Sequence, residues 1–129
     1  MKNSYIKGEK YTRKDIFVNL GLNKNMRGGV WFTGYAKDID DWYIFANIGV
    51  PGKTGDDYDN KFENNLFRWY GKNNSHIEQP SIQSLINKNT RVFIFTRTNN
   101  KDPKFTFWGE AYAQDVIEEK PVKVFWKQK

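Results

Sequence analysis

Cysteine is absent and histidine occurs once, as His76. The first absence removes disulfide staples and thiolate metal sites, and it suits a reducing compartment. The second excludes multi-histidine zinc centres and HNH-type nuclease chemistry. No apolar run reaches about 18 residues, so no segment reads as a membrane-spanning helix. The opening MKNSYIKGEKYTRKD lacks the apolar stretch of a secretory signal. With no Gly/Ser-rich linker, composition break or internal repeat, residues 1–129 read as one cytoplasmic domain.

Aromatic residues are abundant instead, at 17% of 129 residues, including 5 Trp, 7 Tyr and 10 Phe. The formal charge is +6. A basic surface attracts polyanions through counterion release. Flat aromatic faces can stack bases, at about 1–3 kcal/mol each. An aromatic-filled β core under a solubilising basic surface has the same composition, and composition alone does not separate the two. Residues 1–30 carry seven Lys/Arg against Glu9 and Asp15, a balance of +5. Residues 31–60 carry Lys37 and Lys53 against six aspartates, a balance of −4, and the remainder returns to +5. This pattern describes a basic rim around a polar loop or pocket.

Thr12 reads as the N-cap of a helix through about Leu20, with Ile16, Phe17 and Leu20 at helical spacing and Gly21 ending it. Strands follow at 30–35 and 42–48, joined through the polar segment 37–41 as a hairpin with a connection longer than a tight turn. A loop rich in glycine runs from Gly49 to Asn60. Further strands are expected at 65–71, 91–98, 105–116 and 122–127, with a short helix at 80–86. Gly109 marks a bulge or corner. About six strands and two short helices predict a mainly β fold, a curved or closed barrel.

Gly49-Val-Pro-Gly-Lys-Thr-Gly55 has the wrong glycine spacing for a phosphate-binding loop, and no apolar-periodic helix follows it. The acids Asp38, Asp40, Asp41, Asp56, Asp57 and Asp59 offer a Mg²⁺-dependent nuclease as an alternative, although aspartates in glycine-rich segments are more commonly solvated turn residues. No Ser-His-Asp arrangement supports acyl transfer. The strongest constellation is aromatic and amide-rich: Trp31, Tyr35, Phe45, Asn47, Tyr58, Asp59, Asn60 and Trp69. Such groups hold a flipped base by stacking and by hydrogen bonds to its Watson–Crick edge. Core burial competes as an explanation for Trp31, Phe45 and Trp69, because it is the default for aromatics.

Arg27-Gly-Gly-Val-Trp31-Phe-Thr-Gly34-Tyr35, Ile44-Phe-Ala-Asn-Ile-Gly49, Gly52-Lys-Thr-Gly55-Asp-Asp-Tyr58-Asp-Asn60, Trp69-Tyr-Gly-Lys72 and Phe105-Thr-Phe-Trp-Gly109 carry a resemblance along nearly the whole chain. It is similar to the DUF3427-like domains attached to restriction helicases and nucleases, which implies recognition of DNA targets. At the level of fold the order of elements also resembles the SRA branch of PUA-like barrels, which flip 5-methylcytosine into a pocket. That resemblance implies that Tyr35 stacks on the base, Asp38 accepts from its amine and Phe45 lines the pocket. The resulting expectation is a double-stranded DNA reader without cofactor, metal or catalysis of its own, working with a nuclease or helicase in cis or in trans. Phosphate contacts are expected from Lys10, Arg13, Lys14, Lys24, Arg27, Lys53 and Lys72. A B3-like barrel reading unmodified duplex and a protein-interaction module remain competing expectations.

Overall fold

The structure, a computed structural model, describes residues 5–21, 34–38, 40–48, 60–71, 75–99 and 101–129. Its elements are β1 (Lys10–Thr12), α1 (Arg13–Leu20), β2 (Tyr35–Asp38), β3 (Asp41–Asn47), β4 (Lys61–Glu63), β5 (Leu66–Tyr70), α2 (Pro80–Ile86), β6 (Arg91–Arg97), β7 (Lys104–Ile117) and β8 (Lys123–Gln128). Eight strands form one mixed sheet in the order β2-β3-β6-β7-β8-β5-β4, with β1 attached to β7.

The centre of the sheet is the parallel pair β3 and β6, in register from Asp41 opposite Arg91 to Asn47 opposite Arg97. Both strands are continuous apolar runs, and the burial pattern explains why. Residues 42–46 and 92–96 are buried on both faces, as parallel strands covered on two sides must be. On one face Tyr35, Trp42, Ile44, Val92 and Ile94 pack with Ile82 and Leu85 of α2 and with Phe67, Trp69 and Trp126. The Trp42 indole N–H donates to Ser84 Oγ at 3.0 Å and ties α2 to that face. On the other face Tyr43, Phe45, Phe93, Phe95, Phe105 and Phe107 meet Ile16, Phe17 and Leu20 of α1.

The expected closed barrel of six strands is not what forms. β2 and β4 stand at opposite ends of the strand order, and the sheet stays open. It is nevertheless strongly curved. The β6–β7 register slips between Ile94 and Phe95, which face Gly109 and Phe107 and leave Trp108 as the extra residue. A second slip in β7 falls between Ala113 and Asp115. Bulges of this kind bend a strand and increase its twist. Gly109 therefore does mark a bulge, and its φ of +148° is open to few other residues. Curvature rolls the sheet far enough for Tyr35 on β2 to meet Trp69 on β5.

Local expectations hold where chemistry is strong. Thr12 caps α1 in a reciprocal box, accepting from the Asp15 N–H at 3.0 Å while Asp15 Oδ2 accepts from the Thr12 N–H at 2.8 Å. Gly21 closes the helix in the left-handed region at φ 71°. The hairpin of β2 and β3 is tighter than expected, since Asp38 pairs directly with Asp41. Its first strand begins at Tyr35, and residues 30–33 of the expected strand lie outside the described part.

Candidate nucleic-acid interface

Parallel pairing delivers Asn47 and Arg97 side by side at the carboxyl ends of β3 and β6. Open sheets place ligands at such strand ends, because the connecting segments diverge there. Arg97 Nε donates to Asn47 Oδ1 at 2.7 Å, and Arg97 Nη1 donates to the Asp102 carbonyl. Asn60 fastens the start of β4 to the same point. Its Nδ2 donates to the Asn47 carbonyl at 3.3 Å, and its Oδ1 accepts from the Tyr70 N–H at 2.9 Å.

Arg13, the first residue of α1, comes to this place from the other side. Its guanidinium lies 5.0 Å from the Phe45 ring centroid and 5.0 Å from that of Phe105. Arg97 lies 4.2 Å from the Phe105 centroid. Two cations therefore share one aromatic platform, where each gains about 0.5–2 kcal/mol from the ring quadrupole. They also repel. Burial first, and then the charge of Arg97, pull the Arg13 pKa down to about 10. Burial lowers Arg97 as well, against an opposing pull from Asp102. A planar, half-buried guanidinium pair is suited to an anion with several oxygens, which would relieve the repulsion and accept forked hydrogen bonds.

Further cations line the approach. The N-terminal segment runs antiparallel along β7, with Lys10 opposite Thr106 and Thr12 opposite Lys104. Lys10, Lys14, Lys101 and Lys104 are all exposed, the first two on the segment that carries Arg13 and the others on the chain that follows Arg97. Among the nearby carboxylates, Asp15 is held in the helix cap, while Asp102 Oδ1 accepts from the Lys104 N–H at 3.0 Å. Glu9 is exposed on the same ribbon.

The structure brings together Arg13, Phe45, Asn47 and Asn60 of the sequence-predicted residues, with Lys10 and Lys14 beside them. Phe45 is a buried platform rather than an open pocket wall. Tyr35 and Trp69 are 3% and 2% exposed and face each other inside the core. Asp38 ends β2 at the amino end of β3, away from Asn47. Trp31, Tyr58, Asp59, Lys24, Arg27, Lys53 and Lys72 lie outside the described residues. Among the middle acids, Asp41 takes a forked bond from Arg91, at 3.0 and 2.7 Å. Among the described residues no group of three or more His, Asp or Glu is placed to hold a metal ion, and no helix is long and apolar enough to cross a membrane.

Arg97, Phe105 and Lys104 are not among the expected site residues. Arg97 closes the apolar run Val92-Phe-Ile-Phe-Thr96, and its pairing with Asn47 depends on a parallel register between strands 50 positions apart. The one signal in the sequence is an arginine just past the apolar run of a strand, a position where charge is not needed for the core.

No curated protein matches this sequence. Residues 6–128 match the family described as Domain of unknown function (DUF3427), and the chain belongs to that family.

Proposed function

We propose that this domain is a DNA-binding module that recognises targets for a restriction or defence system, with cleavage or translocation supplied by a nuclease or helicase partner. The observation that carries the reading is the Arg13–Arg97 pair, seated on Phe45 and Phe105 and flanked by Lys10, Lys14 and Lys104. Two arginines gathered on one buried aromatic platform are an electrostatic cost to the free protein, and a phosphate offsets it. The lysines along β1 and β7 extend that contact into a track for a phosphate backbone. In this reading the arginine pair fixes the register of the duplex, and base identity is read elsewhere on the domain.

A modified cytosine, flipped from the duplex, is the target that this reading favours. Burial of Tyr35 and Trp69 removes them as stacking partners in this arrangement, so a flipped base needs other flat side chains. Fluorescence anisotropy with matched duplexes, plain and carrying 5-methylcytosine, tests both levels across a salt series. Binding that weakens steeply with salt supports the phosphate track, and a preference for the modified duplex that survives salt supports base reading. Absence of duplex binding at low salt contradicts the proposal. Equal binding of both duplexes retains the track and removes the modified base.

A further inference from the structure

A second constellation lies further along the same ribbon, where β7 bulges at Trp108. Phe62, Glu63, Asn64, Asn65, Trp108 and Gln128 line an open cleft of about 500 Å³, a size that admits a small organic ligand. Phe62 is 45% exposed, an unusual state for a phenyl ring in a domain that buries most of its aromatics. Its ring lies 5.0 Å from that of Phe67 and 5.4 Å from that of Trp108, and these last two are 5.9 Å apart. Three rings thus make a corner with Phe67 buried behind it.

Polar groups surround this corner. Asn64 and Asn65 form the β4–β5 turn with φ of 53° and 66°, and both are exposed. Asparagine tolerates that region better than most residues, so the turn presents two amides at the rim. Glu63 also lines the cleft, while its carboxylate meets Arg68 at 3.5 Å on the face of the hairpin opposite Phe62 and Phe67. Gln128 Nε2 donates to the Trp108 carbonyl. Lys7 reaches the same place: a Cβ at Gly109 would lie 3.2 Å from both Lys7 Cε and Gln128 Nε2. The cleft therefore combines flat apolar faces and three amides, with a cation nearby.

We infer that this cleft takes a nucleobase from an unpaired or flipped nucleotide, and so supplies the base-reading part of the DNA function proposed above. Phe62 stacks on the ring, as aromatics do with unpaired bases, while Trp108, inclined at 46° to Phe62, walls its edge. The amides of Asn64 and Asn65 offer donors and acceptors to the polar edge of the base. Lys7 neutralises the attached phosphate. Lys10 then leads along the ribbon toward the Arg13–Arg97 pair, lying opposite Thr106 of β7 as Thr12 lies opposite Lys104. A metal ion would call for carboxylates facing the rings, and an apolar peptide would leave the amides without partners.

The test is a titration of the full chain, labelled with nitrogen-15, with cytidine, adenosine and thymidine, followed by NMR. The expected result is a set of shifts centred on the Trp108 indole N–H and the side-chain amides of Asn64, Asn65 and Gln128. All three should bind, because stacking on Phe62 is open to every base, and Glu63→Ala should leave their affinities within about twofold of the wild type. Phe62→Ser changes an exposed side chain and should weaken all three nucleosides about tenfold while the rest of the spectrum keeps its dispersion. Shifts spread over the other tryptophans, or no shifts at millimolar nucleoside, would overturn the inference. A duplex-binding measurement on the same sample separates the two claims. Duplex binding without nucleoside shifts removes the cleft and keeps the DNA reading. Nucleoside shifts without duplex binding keep a nucleobase site and remove the DNA reading.

Discussion

The Tyr35 and Trp69 rings meet edge to face, with centroids 5.3 Å apart and planes at 75°, although β2 and β5 are separated by β3, β6, β7 and β8 in the strand order. An untwisted sheet would hold them several strand spacings of about 4.8 Å apart. Their contact reports how far the sheet has rolled, and it joins the two ends of the interior core without closing a hydrogen-bonded barrel.

That contact is structural. Trp69→Ala should destabilise the domain by about 3–5 kcal/mol, the range for truncating a large buried aromatic. A double-mutant cycle with Tyr35→Ala should return a coupling of about 1 kcal/mol. Chemical denaturation measures both. Additive losses would mean that the two rings contribute independently and that the rolled geometry is held elsewhere.

Gly109 is the tightest backbone requirement in β7. Its φ is +148°, and an added Cβ would lie 3.2 Å from Lys7 Cε and Gln128 Nε2. Gly109→Ala should lower stability by about 1–3 kcal/mol, mainly through backbone strain, since both neighbours are flexible side chains. A melting temperature equal to that of the wild type would show that β7 can bulge without this conformation.

Asn60 bridges the Asn47 carbonyl and the Tyr70 N–H. Asn60→Ala removes both bonds and should cost about 1–2 kcal/mol. Hydrogen exchange at the Tyr70 amide should accelerate more than exchange in β6. Uniform acceleration across the sheet would instead indicate a global loss of stability.

Arg13 makes a pH-dependent prediction whose sign follows from its depressed pKa. The folded form holds the Arg13 proton less tightly than the unfolded chain, with its pKa pulled down to about 10. At pH 8 both states are charged and the folded state bears the full penalty. As pH rises through about 10, the folded group loses its proton first, and the penalty shrinks. Arg13→Met keeps much of the stem and removes the charge. The variant should be more stable than the wild type at pH 8, by roughly 1 kcal/mol or less, and the gap should narrow towards pH 10. A gap that widens with pH would contradict the assignment.

Strong local signals are legible in the sequence. Thr12 and Gly21 bracket α1 as expected, and Pro80 opens α2, which ends at Ile86 as its apolar spacing predicts. The apolar runs at β3 and β6 read as strands, yet their parallel pairing does not follow, because no local residue encodes which distant strand lies beside them. β1 and β4 escape a sequence reading: three residues each, with exposed lysines and no buried stripe, leave no periodicity to follow. Closure is overestimated for a related reason. The alternation that marks a curved sheet is the same whether or not its last two strands meet. At the candidate site, Arg13, Asn47 and Asn60 are residues that sequence reasoning also singles out, whereas Arg97 and the Phe62–Trp108 cleft emerge only from tertiary register and the bulge at Trp108.

If the Arg13–Arg97 pair is a phosphate seat, the salt dependence of duplex binding must register its charge. Wild type, Arg13→Met and Arg97→Lys should be compared with one duplex over a salt series, with folding checked by thermal melting. Removing the Arg13 charge should weaken binding to every sequence alike. It should also flatten the slope of log affinity against log salt by about 1, because one phosphate is then no longer neutralised by the protein. Arg97→Lys keeps the charge but not the fork, so its slope should remain while its affinity falls. Unchanged affinity and slope in a folded Arg13→Met protein would contradict the account.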